Sequence, residues 1–354
     1  MDRTSKEAKE LLQSQLKEWD LARINFEALN CVKTKEVLFD GFKIRVQFNP
    51  ARIQSSAAKV DAKSIQERKC FLCPNNLPKE QRGIDFAKNY QILVNPFPIF
   101  PEHFTIPTYE HTDQLIFNRY GDMFDLAKSL CEYTIFYNGP KCGASAPDHA
   151  HFQAGIKGFL PIENDIESLP KETIYTSEST AASVLKNYQR NCFLIETKDK
   201  EEAIDFFKLL YSLLEIKEDD KEPMMNIITW YDNDIWYSCI FPRQKHRPAC
   251  FFAEGEENLL ISPASVDLGG VFITPLEKDF EKITKDDISL ILKEICIGSQ
   301  QMQSITAKIK QSVWNQKMCI RDRHSRRKLI PQPCYVLWSN MSIHHPDYWS
   351  CTKT

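Results

Sequence analysis

The sequence predicts an α+β fold organised around antiparallel sheet. Strand-like segments are short and hairpin-linked, helix-like patterns fall between groups of strands, and no tandem repeat or Gly- or Ser-rich linker interrupts the chain. A doubly wound parallel sheet needs a crossover, usually helical, between successive strands, and that rhythm is missing.

The elements follow in order. From residue 6 to about 30, Leu11, Leu12, Leu16, Trp19, Leu21 and Ile24 recur at roughly helical spacing and predict an opening amphipathic helix. Residues 37–39 and 42–48 flank Asp40-Gly41, a turn dipeptide, and predict a β-hairpin. Its second strand alternates apolar and polar residues, so one face is expected to be wet. Residues 90–94 predict a strand closed by Asn95-Pro96, and residues 103–106 a short strand before Pro107. Residues 122–133 have a helical pattern after Gly121, residues 134–137 predict a strand ending at Asn138-Gly139-Pro140, and residues 149–156 predict another. A second block begins near Asn187. It offers a strand at 192–196, a helix at 201–214, paired strands at 225–231 and 235–241 around Asp232-Asn233-Asp234, and a helix over 286–309.

The chain has 354 residues, enough for a large core or for two halves. A formal charge of -3 does not mark a nucleic-acid-binding or membrane-surface protein. The first residues run into a charged helical pattern with no apolar signal core, and no run approaches the roughly 20 apolar residues a bilayer span needs. With twelve cysteines and no export signal, free thiols and metal ligation are expected in preference to a disulfide framework. The expected location is the cytoplasm.

Chemistry concentrates in Pro147-Asp148-His149-Ala150-His151-Phe152-Gln153. On a strand, positions i, i+2 and i+4 share a face, so His149, His151 and Gln153 would stand in one row. That row offers a nitrogen nucleophile, a neighbouring ligand or orienting group, and a neutral amide able to donate to a phosphoryl oxygen. The small residues at 143–146 would let backbone N–H groups approach a phosphate. Two half-buried strand histidines are the plain alternative. Upstream, Cys70-x-x-Cys73 is the common zinc half-site, and with no second such pair the other ligands must be histidines, His103 and His149 being the natural candidates. Ordinary buried thiols are the alternative there. Arg52 and Lys59 could neutralise substrate phosphates or belong to a solvated loop. Arg243, in the cationic turn 241–248, reads either as a phosphate contact or as a basic turn. Trp230, Tyr231, Trp236 and Tyr237 read as sheet packing.

These segments resemble the histidine-triad superfamily, in its transferase branch around galactose-1-phosphate uridylyltransferase, the dinucleoside polyphosphate phosphorylases and the GDP-hexose phosphorylases. They are also similar to an uncharacterised bacterial family within it. The branch carries His-x-His-x-Gln, here His149, His151 and Gln153, after an Asn-Gly and a small-residue loop, here Asn138-Gly139 and Gly143-Ala144-Ser145. Its zinc segments resemble Cys70-x-x-Cys73 and Pro101-Glu102-His103. The resemblance covers roughly residues 40–156. It implies a histidine-triad-like antiparallel sheet with flanking helices, in two similar halves. It implies structural zinc on Cys70, Cys73, His103 and His149, with His151 as nucleophile and Gln153 as the phosphate-holding amide. It further implies substrate contacts at Asn138, Gly143 and Ser145 and, more loosely, at Arg52. A second metal site would need downstream histidines, of which only His246 precedes the terminal segment, so that site is not expected.

The expected activity is nucleotidyl transfer or phosphorolysis of a nucleoside diphosphate-sugar or dinucleoside polyphosphate through a nucleotidyl-histidine, with phosphate or a sugar phosphate as acceptor. A nucleotide hydrolase and a non-catalytic zinc-braced nucleotide-binding protein are the other classes. No nucleic-acid or membrane partner is expected. The expected division is a catalytic half at 1–185 with the zinc knuckle, a second α+β half at 186–316, and a tail at 317–354. That tail begins with Lys317-Met318-Cys319-Ile320-Arg321-Asp322-Arg323, which resembles a translated sequencing adapter.

Overall fold

The computed structural model describes residues 3–53 and 62–326, with side chains for 3–53, 64–65 and 67–315, and among these residues thirteen strands make two sheets. Lys59 lies outside the described residues, as do residues 327–354 of the expected tail. Residues to Lys310 form one compact unit.

In the first half the strands are β1 (Lys33–Leu38), β2 (Lys43–Phe48), β3 (Gly83–Phe86), β4 (Tyr90–Val94), β5 (His103–Pro107), β6 (Tyr133–Asn138) and β7 (His151–Ile156). Further along the chain come β8 (Lys171–Thr176), β9 (Thr180–Leu185), β10 (Phe193–Thr197), β11 (Met225–Asp232), β12 (Ile235–Pro242) and β13 (Val271–Thr274). Ten of them form one antiparallel sheet in the order β3-β4-β5-β7-β6-β11-β12-β10-β9-β8. The seam is β6 against β11, with Asn138 opposite Asn226 and Ile135 opposite Thr229. The small sheet adds β13 to the β1–β2 hairpin, parallel to β2 with Val271 opposite Arg45. The α+β class and the antiparallel sheet thus match the expectation. β3, β8, β9 and β13 carry no signal strong enough to have been anticipated.

Three helix and strand expectations are corrected. The opening helix is two, Arg3–Glu18 and Asp20–Ala28, because Trp19 breaks it with an extended backbone (φ -123°, ψ 98°). The helix expected over 286–309 is also two, Lys285–Ile295 and Ser299–Arg326, parted where Cys296 forms a β-bridge to Arg243. The strand expected from residue 149 starts at His151, so His149 sits in the bend before it. The main core packs Ile44, Val46, Phe100 and Phe136 of the first half with Ile228, Phe241 and Ile291 of the second. Helix Lys200–Leu213 is capped by the Asp199 carboxylate, which accepts from the N–H groups of Glu201 and Glu202.

A buried carboxyl marks the seam. Glu222 accepts from the Ile116 N–H (2.8 Å) and touches the Tyr137 hydroxyl. Tyr137 has one proton and a second acceptor, the Gln114 carbonyl oxygen at 3.1 Å. Both contacts are satisfied only if Glu222 brings a proton of its own. Burial accordingly pushes Glu222 from 4.5 up to about 7. The folded state therefore holds this proton more tightly than the unfolded chain. The stabilisation is complete below pH ~4.5 and is lost as pH rises through about 7, a change of about 3 kcal/mol for this one group. Urea unfolding across that window should show a smaller pH dependence in Glu222→Gln than in the parent, and identical profiles would refute the assignment.

Candidate active site

A cleft of about 540 Å³ opens where β7 begins. It brings together Arg52, Asn138, Gly143, Ser145, His151 and Gln153, with Ser262, Ala264 and Asp267 of the second half forming the opposite wall. Residues as far apart in sequence as Arg52 and Asp267 meet there because β6 and β7 are neighbours in one sheet and the segment before β13 folds back over them.

The hydrogen bonds fix the orientation of each polar group. His151 places Nδ1 2.8 Å from the His149 carbonyl oxygen. A carbonyl only accepts, so Nδ1 carries the proton and the Nε2 lone pair is left to the cleft. Burial pushes His151 down to about 4, which keeps the ring neutral. His103 is fixed in the same way. Its Nδ1 accepts from the Ile99 N–H at 3.1 Å, so Nε2 carries hydrogen and donates to Gln153 Oε1 at 3.0 Å. Burial, with the nearby Arg52 charge, holds His103 down at about 3. Gln153 thereby points its NH₂ group away from His103. Asn138 is oriented likewise, its Oδ1 accepting from the Ser265 N–H (2.8 Å) and Asn226 Nδ2 (2.9 Å). Its NH₂ group has no partner among the described residues.

Arg52 donates to the Phe97 carbonyl oxygen at 2.7 Å and lines the cleft, where burial lowers it to about 10. Asp267 faces the same region. Its carboxylate accepts from the N–H groups of Ala264 and Ile273, and burial pushes it up to about 6.

Gly143 has φ +95°, and a Cβ there would stand 2.5 Å from the Ala264 Cβ and 3.1 Å from its Cα. Neither atom belongs to a flexible side-chain end, so the cleft wall itself would have to move. Gly143→Ala should lose about 1–3 kcal/mol in urea unfolding. Stability equal to the parent would show that the wall yields freely.

Two sequence expectations are corrected here. Arg243 does not line the cleft and is 4 % exposed. Its guanidinium donates to Asn226 Oδ1 and to the carbonyl oxygens of Pro263, Lys245, His246 and Ile295, so it is a buried structural tie. His103 does not join the cysteines, because it begins β5 and its two ring nitrogens are taken by Ile99 and Gln153.

Cys70, Cys73, His111 and His149 form the cluster that could hold a metal ion, their ligand atoms all lying within 4.8 Å of one another. His149 Nδ1 is 3.3 Å from Cys70 Sγ and 3.6 Å from Cys73 Sγ, and His111 Nδ1 is 3.2 Å from Cys73 Sγ. The outer nitrogens are also engaged. His149 Nε2 meets the Thr108 carbonyl oxygen at 2.7 Å, and His111 Nε2 lies 3.7 Å from the Asp148 carboxylate. Such outer partners orient metal-binding imidazoles and leave Nδ1 bare for the ion. Arg68 ties the parts together, donating to Asp148 (3.0 Å) and to the Ser145 carbonyl oxygen (3.1 Å). Sequence reasoning passed over His111, Arg68, Asp148 and Asp267. His111 was within reach, as the remaining histidine between the knuckle and His149.

The family model of DUF4922, a domain of unknown function, matches residues 11–156, and that of the GDPGP1-like C-terminal domain matches residues 165–316. No curated protein matches the chain. Among solved structures, yeast Ap4A phosphorylase Apa2 in complex with Ap4A aligns with a TM-score of 0.54 at 17% identity, over 82% of this chain and 97% of that one. Its AMP complex gives 0.54 at 18% identity over 83% and 97%, and a third Apa2 structure 0.52 at 18% over 78% and 94%. The likeness establishes a shared fold.

Proposed function

We propose that this chain is a phosphorylase- or transferase-like member of the histidine-triad superfamily, a reading that the GDPGP1-like family model and the fold shared with Apa2 support, and that it moves a nucleotidyl group through a covalent adduct on His151. The substrate class is a nucleoside diphosphate-sugar or a dinucleoside polyphosphate, and the acceptor is phosphate or a sugar phosphate. One observation carries the reading. The His149 carbonyl holds the proton on His151 Nδ1, so a neutral ring turns Nε2 into a cleft that also presents Arg52 and the NH₂ groups of Asn138 and Gln153. That yeast phosphorylase Apa2 was solved with AMP and with Ap4A supports a nucleotide as the ligand.

In the first step the Nε2 lone pair attacks the α-phosphorus, an N–P bond forms, and the P–O bond to the phosphate-type leaving group breaks. An oxygen of the acceptor phosphate then attacks the same phosphorus and releases the imidazole. The leaving group departs as a stable anion, so no strong acid is needed, and the neutral Gln153 suits its position. Arg52 offsets developing charge while Gln153 and Asn138 donate to the non-bridging oxygens, all pre-set by the protein. The apolar rim of Trp19, Leu21, Phe71 and Phe97 would take the nucleoside.

The knuckle is proposed to hold structural zinc on Cys70, Cys73, His111 and His149, in place of the set with His103. Tetrahedral zinc with its usual bond lengths sets sulfur and nitrogen ligands roughly 3.6 Å apart, near the 3.2–3.6 Å seen here. The ion would bind the loop carrying His149 to the segment carrying Phe71.

The test is the intact mass of the protein after brief incubation with a panel of NDP-hexoses and dinucleoside polyphosphates. The expected result is a gain of one nucleoside monophosphate unit that inorganic phosphate discharges. Turnover without any adduct would overturn the covalent reading.

A further inference from the structure

We infer that Gln114 is a positioning residue for His151, clamping the backbone of the nucleophile in a gap of the sheet, and that Tyr137 and Glu222 hold Gln114 in place from the seam. The inference rests on the reading of His151 as nucleophile.

The gap follows from the strand register. On the β5 side His151 stands opposite Pro107, which has no N–H, and the neighbouring bond runs from the Thr108 N–H to the Ala150 carbonyl oxygen (2.9 Å). In an antiparallel ladder, hydrogen-bonded and non-hydrogen-bonded pairs alternate, so the N–H and C=O of His151 point the other way, toward β6. The β6–β7 register ends at Phe136 opposite Gln153. Two further residues along β6 would bring Asn138 opposite His151, but the pairing with β7 has stopped at Phe136 while the pairing with β11 runs on to Asn138 opposite Asn226. The backbone groups of His151 thus face an opening in the sheet, where an unpaired N–H and C=O would be costly.

Gln114 fills that opening. Its Oε1 accepts from the His151 N–H at 2.7 Å, and its Nε2 donates to the carbonyl oxygens of His151 (2.9 Å) and Asn138 (3.0 Å). A single side-chain amide replaces the missing strand and bonds both backbone groups of the same residue. Gln114 is itself 1 % exposed. Its backbone N–H donates to the Pro147 carbonyl oxygen at 3.2 Å, and its carbonyl meets the Tyr137 hydroxyl, which also touches Glu222. Glu222 comes from the segment leading into β11, so the second half of the chain reaches the strand of the nucleophile through two side chains. Three residues before Gln114 lies His111, so one short segment carries both a knuckle histidine and this clamp.

The function of such a clamp is angular. His151 has its Nδ1 fixed by the His149 carbonyl, and the direction of Nε2 then depends on where its own peptide groups are pinned. Displacing a reacting group by about 1 Å costs on the order of 100-fold in rate.

The experiment uses the full-length, metal-loaded protein and two probes, Ap4A and an NDP-hexose, with single-turnover adduct formation read by mass. Gln114→Leu should slow adduct formation by about 10- to 100-fold. The nucleoside monophosphate affinity should stay within about twofold, with metal content unchanged, since no Gln114 atom faces the ligand. Tyr137→Phe, which removes only the outer contact, should give a smaller loss of about 2- to 10-fold in the same rate constant. An unchanged adduct rate in folded Gln114→Leu overturns the inference, as does a loss matched by an equal loss of affinity. If Gln114→Leu does not fold, an unchanged rate in Tyr137→Phe overturns it. Absence of any adduct in the parent protein with both probes overturns the reading of His151 instead.

Discussion

Replacing His151 with alanine should abolish turnover while leaving the fold intact. The imidazole is the one group whose loss removes the proposed bond to phosphorus, so no conservative repair exists within the cleft. Loss of a nucleophile that acts in concert with its neighbours costs on the order of 10³-fold or more. Stability should hardly move. The backbone bonds of His151 go to Gln114, and its side chain contributes one hydrogen bond, to its own neighbour His149. Truncation at this cleft-lining position deletes a polar ring that burial disfavours in its charged form. Melting within a few degrees of the parent, no mass gain with any nucleotide, and retained nucleoside monophosphate binding form the expected set. Full activity in His151→Ala would end the nucleophile assignment. Retained turnover with a mass gain elsewhere on the chain would move it to another residue.

The second large effect concerns the knuckle. Cys70→Ser and His111→Ala should each strip the protein of zinc and lower the melting temperature by roughly 5–10 °C, from a loss of about 3 kcal/mol or more. A loss of that size is expected because one ion in the proposed site would tie together separate segments, here residues 70–73, 111 and 149. His103→Ala supplies the contrast. It should keep its zinc, since its nitrogens face Ile99 and Gln153. It should nevertheless lose about 10- to 100-fold in turnover, because Gln153 is free to flip its amide and the Ile99 N–H is left buried without an acceptor. Metal analysis of the three variants decides the matter. Zinc lost from His103→Ala and kept by His111→Ala would restore the ligand set suggested by the sequence and refute the one suggested by geometry.

Why sequence and geometry part at this point is instructive. Pro101-Glu102-His103 and the Cys70-x-x-Cys73 pair sit in the expected chain order, and on spacing alone His103 is as good a ligand as any. The choice depends on where β5 starts and stops. His103 is its first residue and faces the core beside Phe100, whereas His111 lies beyond its end, where the chain has left the sheet and can turn back to Cys73. His149 shows the same effect from the other side. The His-x-His spacing puts both rings on one strand face, yet β7 begins only at His151, and the bend before it lets His149 reach the thiols. Arg243 was legible as a cation near a turn but not as a buried one, because its five carbonyl and amide acceptors come from four separate segments.

By itself, the sequence determined the local matters: which stretches alternate like strands, where Asp40-Gly41 must turn, and which residue types gather within 149–153 and 70–73. Those are settled by interactions within a few positions along the chain, where periodicity and spacing act directly. The tertiary structure alone decided the identity of the fourth knuckle residue, the orientation of the Gln153 and Asn138 amides, and the role of Gln114. Each of these depends on partners brought close by strand register and by the separation of β6 from β7, and a one-residue change in where a strand ends redirects every hydrogen bond beyond it.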